Sequence, residues 1–192
     1  MGLNKHVALT LRLSKRAAKV VNIETNTYLC TNKQLKVATI NQISDYVIFR
    51  IKAEGEGDLS ALKHQKLLYY IQAWHLAFFG KKAFESDFQA WIHGPVNREI
   101  YETYKDSKYL YSEMTMDDLQ DIESIAKIDD EIKEHVDTIL DSYAKFTATQ
   151  LEIMTHQEDP WIEARKGYAP NQRCENIISD VAMKTYYASR LK

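Results

Sequence analysis

A chain of 192 residues with 45% apolar side chains can bury one core unaided, and its two distant cysteines, Cys30 and Cys174, make neither a disulfide framework nor a zinc site. With no leader segment and no long apolar run, the expectation is a cytoplasmic protein without a membrane span. The net charge of −2 is uneven: residues 1–38 carry seven basic side chains against Glu24, for +6, which leaves −8 on the remainder.

The first 38 residues show no sustained helical period. Val7, Leu9, Leu11 and Leu13 fall at every second position over His6–Leu13, which reads as a strand. Val20–Leu29 is a weaker second candidate. The expectation is a basic extension of β character, residues 1–38, ahead of a helical body, residues 39–192. That body is most acidic over Glu113–Asp141, with eleven acids against Lys127 and Lys133. The extension is open to three readings: a solvated or self-docking tail, a contact for a partner protein, or a nucleic-acid contact. No reader motif accompanies its charge, which weighs against nucleic acid.

From Thr39 the pattern turns helical. Thr39 and Gln42 have capping-box spacing, and Ile40, Ile43, Val47 and Ile51 form one apolar face, ending near Gly55-Glu56-Gly57. Asp58 or Ser60 can cap a second helix that runs to Phe79, with Gly80 closing it. Leu67, Leu68, Ile71, Trp74 and Phe78 are its core stripe, and Tyr69, Tyr70, Leu76 and Phe79 widen that stripe. This helix should therefore be central and covered on several sides.

Phe84–Ile92 lacks helical spacing and reads as an extended link. His93-Gly94-Pro95-Val96 reads as a sharp turn with proline at the first position of a third helix. Val96, Ile100, Tyr101 and Tyr104 should supply that helix's buried side. Asp117–Ile128 reads as a short helix, and Ile132–Tyr143 as an amphipathic one. Thr147 and Gln150 form a second capping box, Asp159-Pro160 opens a short helix that Gly167 ends, and Ser179–Leu191 closes the chain. The predicted class is all-α, a compact bundle of about seven helices.

Nothing in the sequence assembles chemistry. The six histidines show no ligand spacing; His64 and His75, three turns apart on one helix, lie roughly 16 Å apart and cannot share an ion. The bland reading is that the histidines hydrogen-bond at helix ends. No nucleophile elbow, phosphate-cradling loop or dinucleotide fingerprint occurs. The expectation is no catalytic residue, no metal and no cofactor, with self-association left open. The aromatic content is more telling. Tyr101, Tyr104, Tyr109 and Tyr111 fall in a polar segment that cannot bury all of them, so they are either helix-packing edges or a contact surface.

Three linked segments resemble one family. Leu62–Ala77 (LKHQKLLYYIQAWHLA) resembles the L-K-L-Q-K-L-L-Y-Y-A-Q-G-W-H-L-A helix of the SocA-type antitoxin domain, also called Panacea. Phe88–Val96 (FQAWIHGPV) is similar to its F-x-A-W-x-x-G-P-V turn, and Thr155–Arg165 (THQEDPWIEAR) to its T-H-x-E-x-P-W-x-x-A-R segment. Order and spacing agree over residues 39–191. The departures are His64 at a usually apolar position, and Ile71 and Ala73 at small ones. Residues 1–38 lie outside the match.

The resemblance implies a small helical domain of toxin–antitoxin pairs and some phage proteins. Such domains neutralise a cognate toxin, generally by direct protein–protein contact, and one type instead delivers its toxin to a protease. The toxins often block translation, and some resemble small alarmone synthetases. The matched residues Leu67, Tyr70, Trp74, His75, Trp91, Gly94, Pro95, Val96, His156, Pro160, Trp161 and Arg165 read as framework. Trp74, Trp91 and Trp161 are expected to interlock in the core beside Tyr70, with His156 and Arg165 satisfying helix ends. Candidates for partner contact are Leu9, Leu11, Arg12, Lys15 and Arg16 of the extension, together with Tyr104, Tyr109 and Tyr111.

Overall fold

The computed structural model describes residues 37–53, 55 and 57–191. Seven α-helices run along them: α1 (Ile40–Ala53), α2 (Ala61–Phe79), α3 (Arg98–Tyr104), α4 (Asp130–Tyr143), α5 (Ala148–His156), α6 (Asp159–Ala164) and α7 (Asp180–Ala188). Between α2 and α3 lie two strands, β1 (Phe88–Trp91) and β2 (Gly94–Asn97). The extension's strand candidates and its contact candidates Leu9, Leu11, Arg12, Lys15 and Arg16 lie outside the described residues. None of the described helices is long and apolar enough to cross a membrane.

The helix ends follow from local chemistry. Thr39 and Gln42 bond reciprocally at the start of α1, and Thr147 and Gln150 do so at α5. Ser60, rather than Asp58, caps α2, accepting from the Lys63 backbone N–H. Asp58 instead pairs with the Lys63 ammonium at 2.9 Å. Gly80 closes α2 in the left-handed region at φ 73°, where a side chain would be strained.

Helix α2 is the axle. Leu62 through Leu76 are buried without a break, with α1, α4, α5, α7 and β2 packed around them. A helix buried on every face must also bury its polar side chains, and each such group needs a partner. Those partners come from neighbouring segments. His64 meets Ser44 Oγ of α1 at 3.2 Å, Gln65 exchanges two bonds with the Asn97 backbone, and Lys66 donates to the Pro95 carbonyl. Gln72 accepts from the Ala83 N–H and donates to the Phe84 carbonyl, while His75 Nδ1 bonds the Lys81 carbonyl. The polar residues of α2 thus staple it to the loops that wrap it. Among the described histidines, His75 behaves as the helix-end reading expects, whereas His64 bonds inside the core, His135 bonds the Ile71 carbonyl and His93 bonds the Glu152 carboxylate.

The link and turn expected over Phe84–Val96 are an antiparallel hairpin, with Trp91 opposite Gly94 and Phe88 opposite Asn97. Asn176–Ile178 lines its other side, the Ala90 N–H donating to Asn176 and the Ile178 N–H to Phe88. Pro95 therefore sits in a strand and does not open α3. Asn97 caps that helix, its side chain accepting from the Ile100 N–H at 3.1 Å. Proline is tolerated because it lies on the edge strand, where no ladder donor is required. Val96 is buried as part of that strand, not on the helix. The outer edge of β2 is closed by Gln65 and Lys66, which blocks addition of a further strand there.

The expected helix over Asp117–Ile128 is two 3₁₀ turns, Met116–Asp118 and Ile122–Lys127. Buried Asp45 of α1 determines the break between them, because its carboxylate accepts from the Gln120 and Asp121 backbone N–H groups. Arg50 and Tyr46 of α1 both bond Asp137 of α4.

Candidate interaction groove

The hairpin, α3 and residues 105–114 enclose a groove of about 830 Å³ against the first turns of α2. The initial N–H groups of a helix lack intrahelical acceptors. Here Ala61 and Leu62 donate to the carbonyls of Ser112 and Leu110, and the Met114 N–H donates to Leu59. Backbone bonds at the start of α2 therefore hold residues 110–114 in place. Lys108 pins the same stretch by pairing with Asp118 at 2.7 Å and donating to the Glu113 carbonyl.

Leu62, Val96, Ile100 and Met114 give the groove an apolar floor. Trp91 and Tyr101 form one wall, ring edge against face at 4.7 Å, and Tyr109 and Leu110 another. Arg98, Lys105, Lys108 and Arg173 line it as cations, with Glu102 as the acid among the lining residues. Tyr109 is 85% exposed and Tyr101 40%. Tyr111, 63% exposed, stands outside the lining. Of the tyrosine candidates, Tyr104 turns inward: it shares the inner side of α3 with Ile100, its hydroxyl donates to the Asp118 carbonyl, and its ring meets His64 edge-on.

The framework residues divide into two clusters. Trp74 belongs to the core, its Nε1 donating to the Tyr143 hydroxyl at 2.8 Å and its ring stacked on Phe78 and edge-on to Tyr187. Tyr70 stacks on Tyr143 at 4.1 Å, and Leu67 is wholly buried. Trp91 and Trp161 do not interlock with Trp74 as expected. They are half-buried and meet each other at the hairpin, where Trp161 Nε1 donates to the Trp91 carbonyl at 3.1 Å. Strand alternation is the reason: Phe88 and Ala90 face inward on β1, so Trp91 must face outward.

His156 stacks on Trp161 at 4.2 Å, and the Arg165 guanidinium also lies over the Trp161 ring, 5.1 Å from its centre. The Nε2 of His156 is buried without a hydrogen-bond partner, so that nitrogen satisfies no helix end. Arg165 does more than expected. It donates to the Ala90 carbonyl and to those of Ala169, Pro170 and Gln172, joining β1 to the loop after α6. Pro160 is buried in the first turn of α6.

Two buried ionisable groups escaped the reading of the sequence. Lys66 is wholly buried beneath Gly94, and burial pushes its ammonium down to about 7. Glu158 receives the hydroxyls of Tyr187 at 2.5 Å and Tyr70 at 3.1 Å, and burial pushes its carboxyl up to about 7. A lysine inside an otherwise all-round buried helix was the available signal for the first. The second lies inside the Thr155–Arg165 segment. His64 and His135 are each pushed down to about 4 by burial and stay neutral. Among the described residues, no three His, Cys, Asp or Glu side chains gather as metal ligands.

Residues 65–162, a little over half of the chain, match a family model described as antitoxin SocA-like, Panacea domain. Antitoxin SocA of Caulobacter vibrioides (strain NA1000 / CB15N) is 27% identical over 133 residues, covering 64% of this chain and 71% of that protein. No solved structure matches.

Proposed function

The chain belongs to the SocA-like, Panacea-domain family of antitoxins, and from that premise we propose that it is a cytoplasmic, non-enzymatic antitoxin that binds a cognate toxin directly and occludes it. The toxin class this reading favours is one that blocks translation, a toxic small alarmone synthetase among them. The observation that carries the proposal is the use the fold makes of the family-motif residues. Tyr70 and Trp74 pack the core, and Pro95, Trp91, Trp161 and Arg165 build and brace the hairpin, with Trp91 also walling the groove. Motif residues committed to scaffolding leave recognition to the surface. There the exposed Tyr101 and Tyr109 beside Arg98 and Lys105 have the aromatic and arginine character of contact hot spots. Within the same proposal, the basic extension, residues 1–38, adds to the contact.

The test is expression of the protein encoded beside this chain. Alone it should stop growth, and co-expression of this chain should restore growth. A stoichiometric complex of the two purified proteins should also have lost the toxin's activity. Growth arrest that this chain does not relieve overturns the reading. Protection in cells with full toxin activity in the purified mixture overturns occlusion and points to protease delivery. Removing residues 1–36 should leave the helical domain folded and weaken toxin affinity about tenfold or more, close to 1.4 kcal/mol; unchanged affinity places all recognition on the body.

A further inference from the structure

We propose that the groove between the hairpin and α3 seats an acidic segment of the toxin, which places an apolar or aromatic side chain on the floor and its carboxylates on the cationic rim. This rests on the antitoxin reading above and adds to it the site and the partner's chemistry.

Shape supplies the first argument. The floor is apolar and the walls are aromatic, yet Tyr109 and Tyr101 stand exposed. Exposed aromatic walls over an apolar floor offer contact area that water covers poorly, at small conformational cost to the side chains that bind. The geometry is also held in advance. Residues 110–114 are tied to α2 by backbone bonds, and Trp91 is fixed by its ring contact with Tyr101 and by its Nε1–H donation to Gln89. A rigid seat loses little entropy when it is filled.

Charge supplies the second argument and selects the occupant. Residues 39–192 sum to −8, but the groove is lined by four cations and one acid. These cations have internal partners. Arg98 pairs with Glu102 and Glu175, Lys105 with Glu102, Lys108 with Asp118, and Arg173 with Glu175. With Glu175 and Asp118 counted, the cluster is still net positive on a strongly acidic body. The pairs of Arg98, Lys105 and Arg173 lie at the surface, where solvent screens them and holds them weakly, so an incoming carboxylate can replace them. The closed outer edge of β2 excludes docking by strand addition at this hairpin.

Zero-length carbodiimide coupling tests the proposal, because it joins an amine only to a carboxylate in contact with it. The full chain is coupled to the intact protein encoded beside it, and the joined residues are read by mass spectrometry. Lys105 should couple to Asp or Glu of that protein. Lys105→Glu and Tyr109→Ala, both at exposed positions, should retain the wild-type melting curve and weaken affinity about tenfold or more, whereas Glu131→Lys on α4 should leave it within about twofold.

The groove is overturned if the wild-type chain neutralises its toxin while both groove variants neutralise equally well. It is also overturned if the only intermolecular couplings run from this chain's carboxylates to the toxin's lysines. An oligouridine that displaces the toxin and loses affinity in the same variants would assign the groove to nucleic acid. Self-association abolished by those variants would assign it to a second copy. If the wild-type chain neither binds nor neutralises, the antitoxin reading itself fails, an outcome distinct from all of these.

Discussion

Replacing Lys66 by Met should stabilise the fold near pH 6 and lose that advantage as the pH rises. The Lys66 ammonium is wholly buried, and its hydrogen bond is the one to the Pro95 carbonyl at 3.0 Å. Burial pushes it down from an ordinary 10.5 to about 7, a gap worth roughly 3–5 kcal/mol. Below pH 7 the amine is charged in both folded and unfolded chains, so the whole burial cost is present. Between 7 and 10.5 the folded amine is neutral while the unfolded one keeps its proton. The unfolded state then binds more protons, and wild-type stability rises with pH. Methionine matches the stem in length, carries no charge and forfeits the bond to Pro95, a loss of about 1–2 kcal/mol. The net expectation is a gain of about 1–4 kcal/mol near pH 6, gone or reversed near pH 10. Urea unfolding followed by circular dichroism at several pH values reads this directly, provided the slopes agree between the two proteins. A variant less stable than wild type by the same amount at every pH would refute the reasoning, since it would mean that the ammonium costs nothing where it sits.

Acid should unfold the protein through its histidines. His64 and His135, held near 4 by burial, are neutral when folded but protonate in the unfolded chain from about 6.5 downward, so each removes roughly 2–3 kcal/mol as the pH falls from 6.5 to 4. Glu158, raised to about 7, acts with the opposite sign: its folded carboxyl holds a proton between 4.5 and 7 that the unfolded one has lost, so acidification strengthens it. Glu158→Gln should therefore steepen the acid loss seen in the urea midpoint. Trp74→Ala should cost about 3–5 kcal/mol in thermal unfolding, and half-buried Trp161→Ala clearly less, about 1–2 kcal/mol; equal costs would mean Trp161 packs as a core residue. Gly94→Ala should cost about 2–3 kcal/mol in urea unfolding, because Gly94 has φ 95° and an added Cβ would come within 2.7 Å of Lys66 Cε and 2.8 Å of Thr155 Oγ1.

The amino-acid sequence by itself determined whatever depends on neighbours along the chain. The capping boxes at Thr39 and Thr147, the Ser60 cap, the stop at Gly80 and the apolar faces of α1, α2 and α4 all lie within a few residues of each other. The placing of α2 at the centre was legible too, because aromatic and aliphatic residues cover it on all sides. The hairpin was not legible: a four-residue strand is defined by its partners, and one of these, Asn176–Ile178, stands far along the chain. The same dependence put Pro95 in a strand, turned Trp91 outward and broke the segment 116–127 around Asp45. Burial of Glu158 could not be read either, and that of Lys66 was signalled only by its place in an all-round buried helix, since charged residues stay inside only where acceptors or donors are delivered to them, here by Pro95, Tyr70 and Tyr187. The groove is tertiary for the same reason. Its floor, walls and rim come from α2, the hairpin, α3, the 105–114 segment and Arg173, and packing alone brings these to one place.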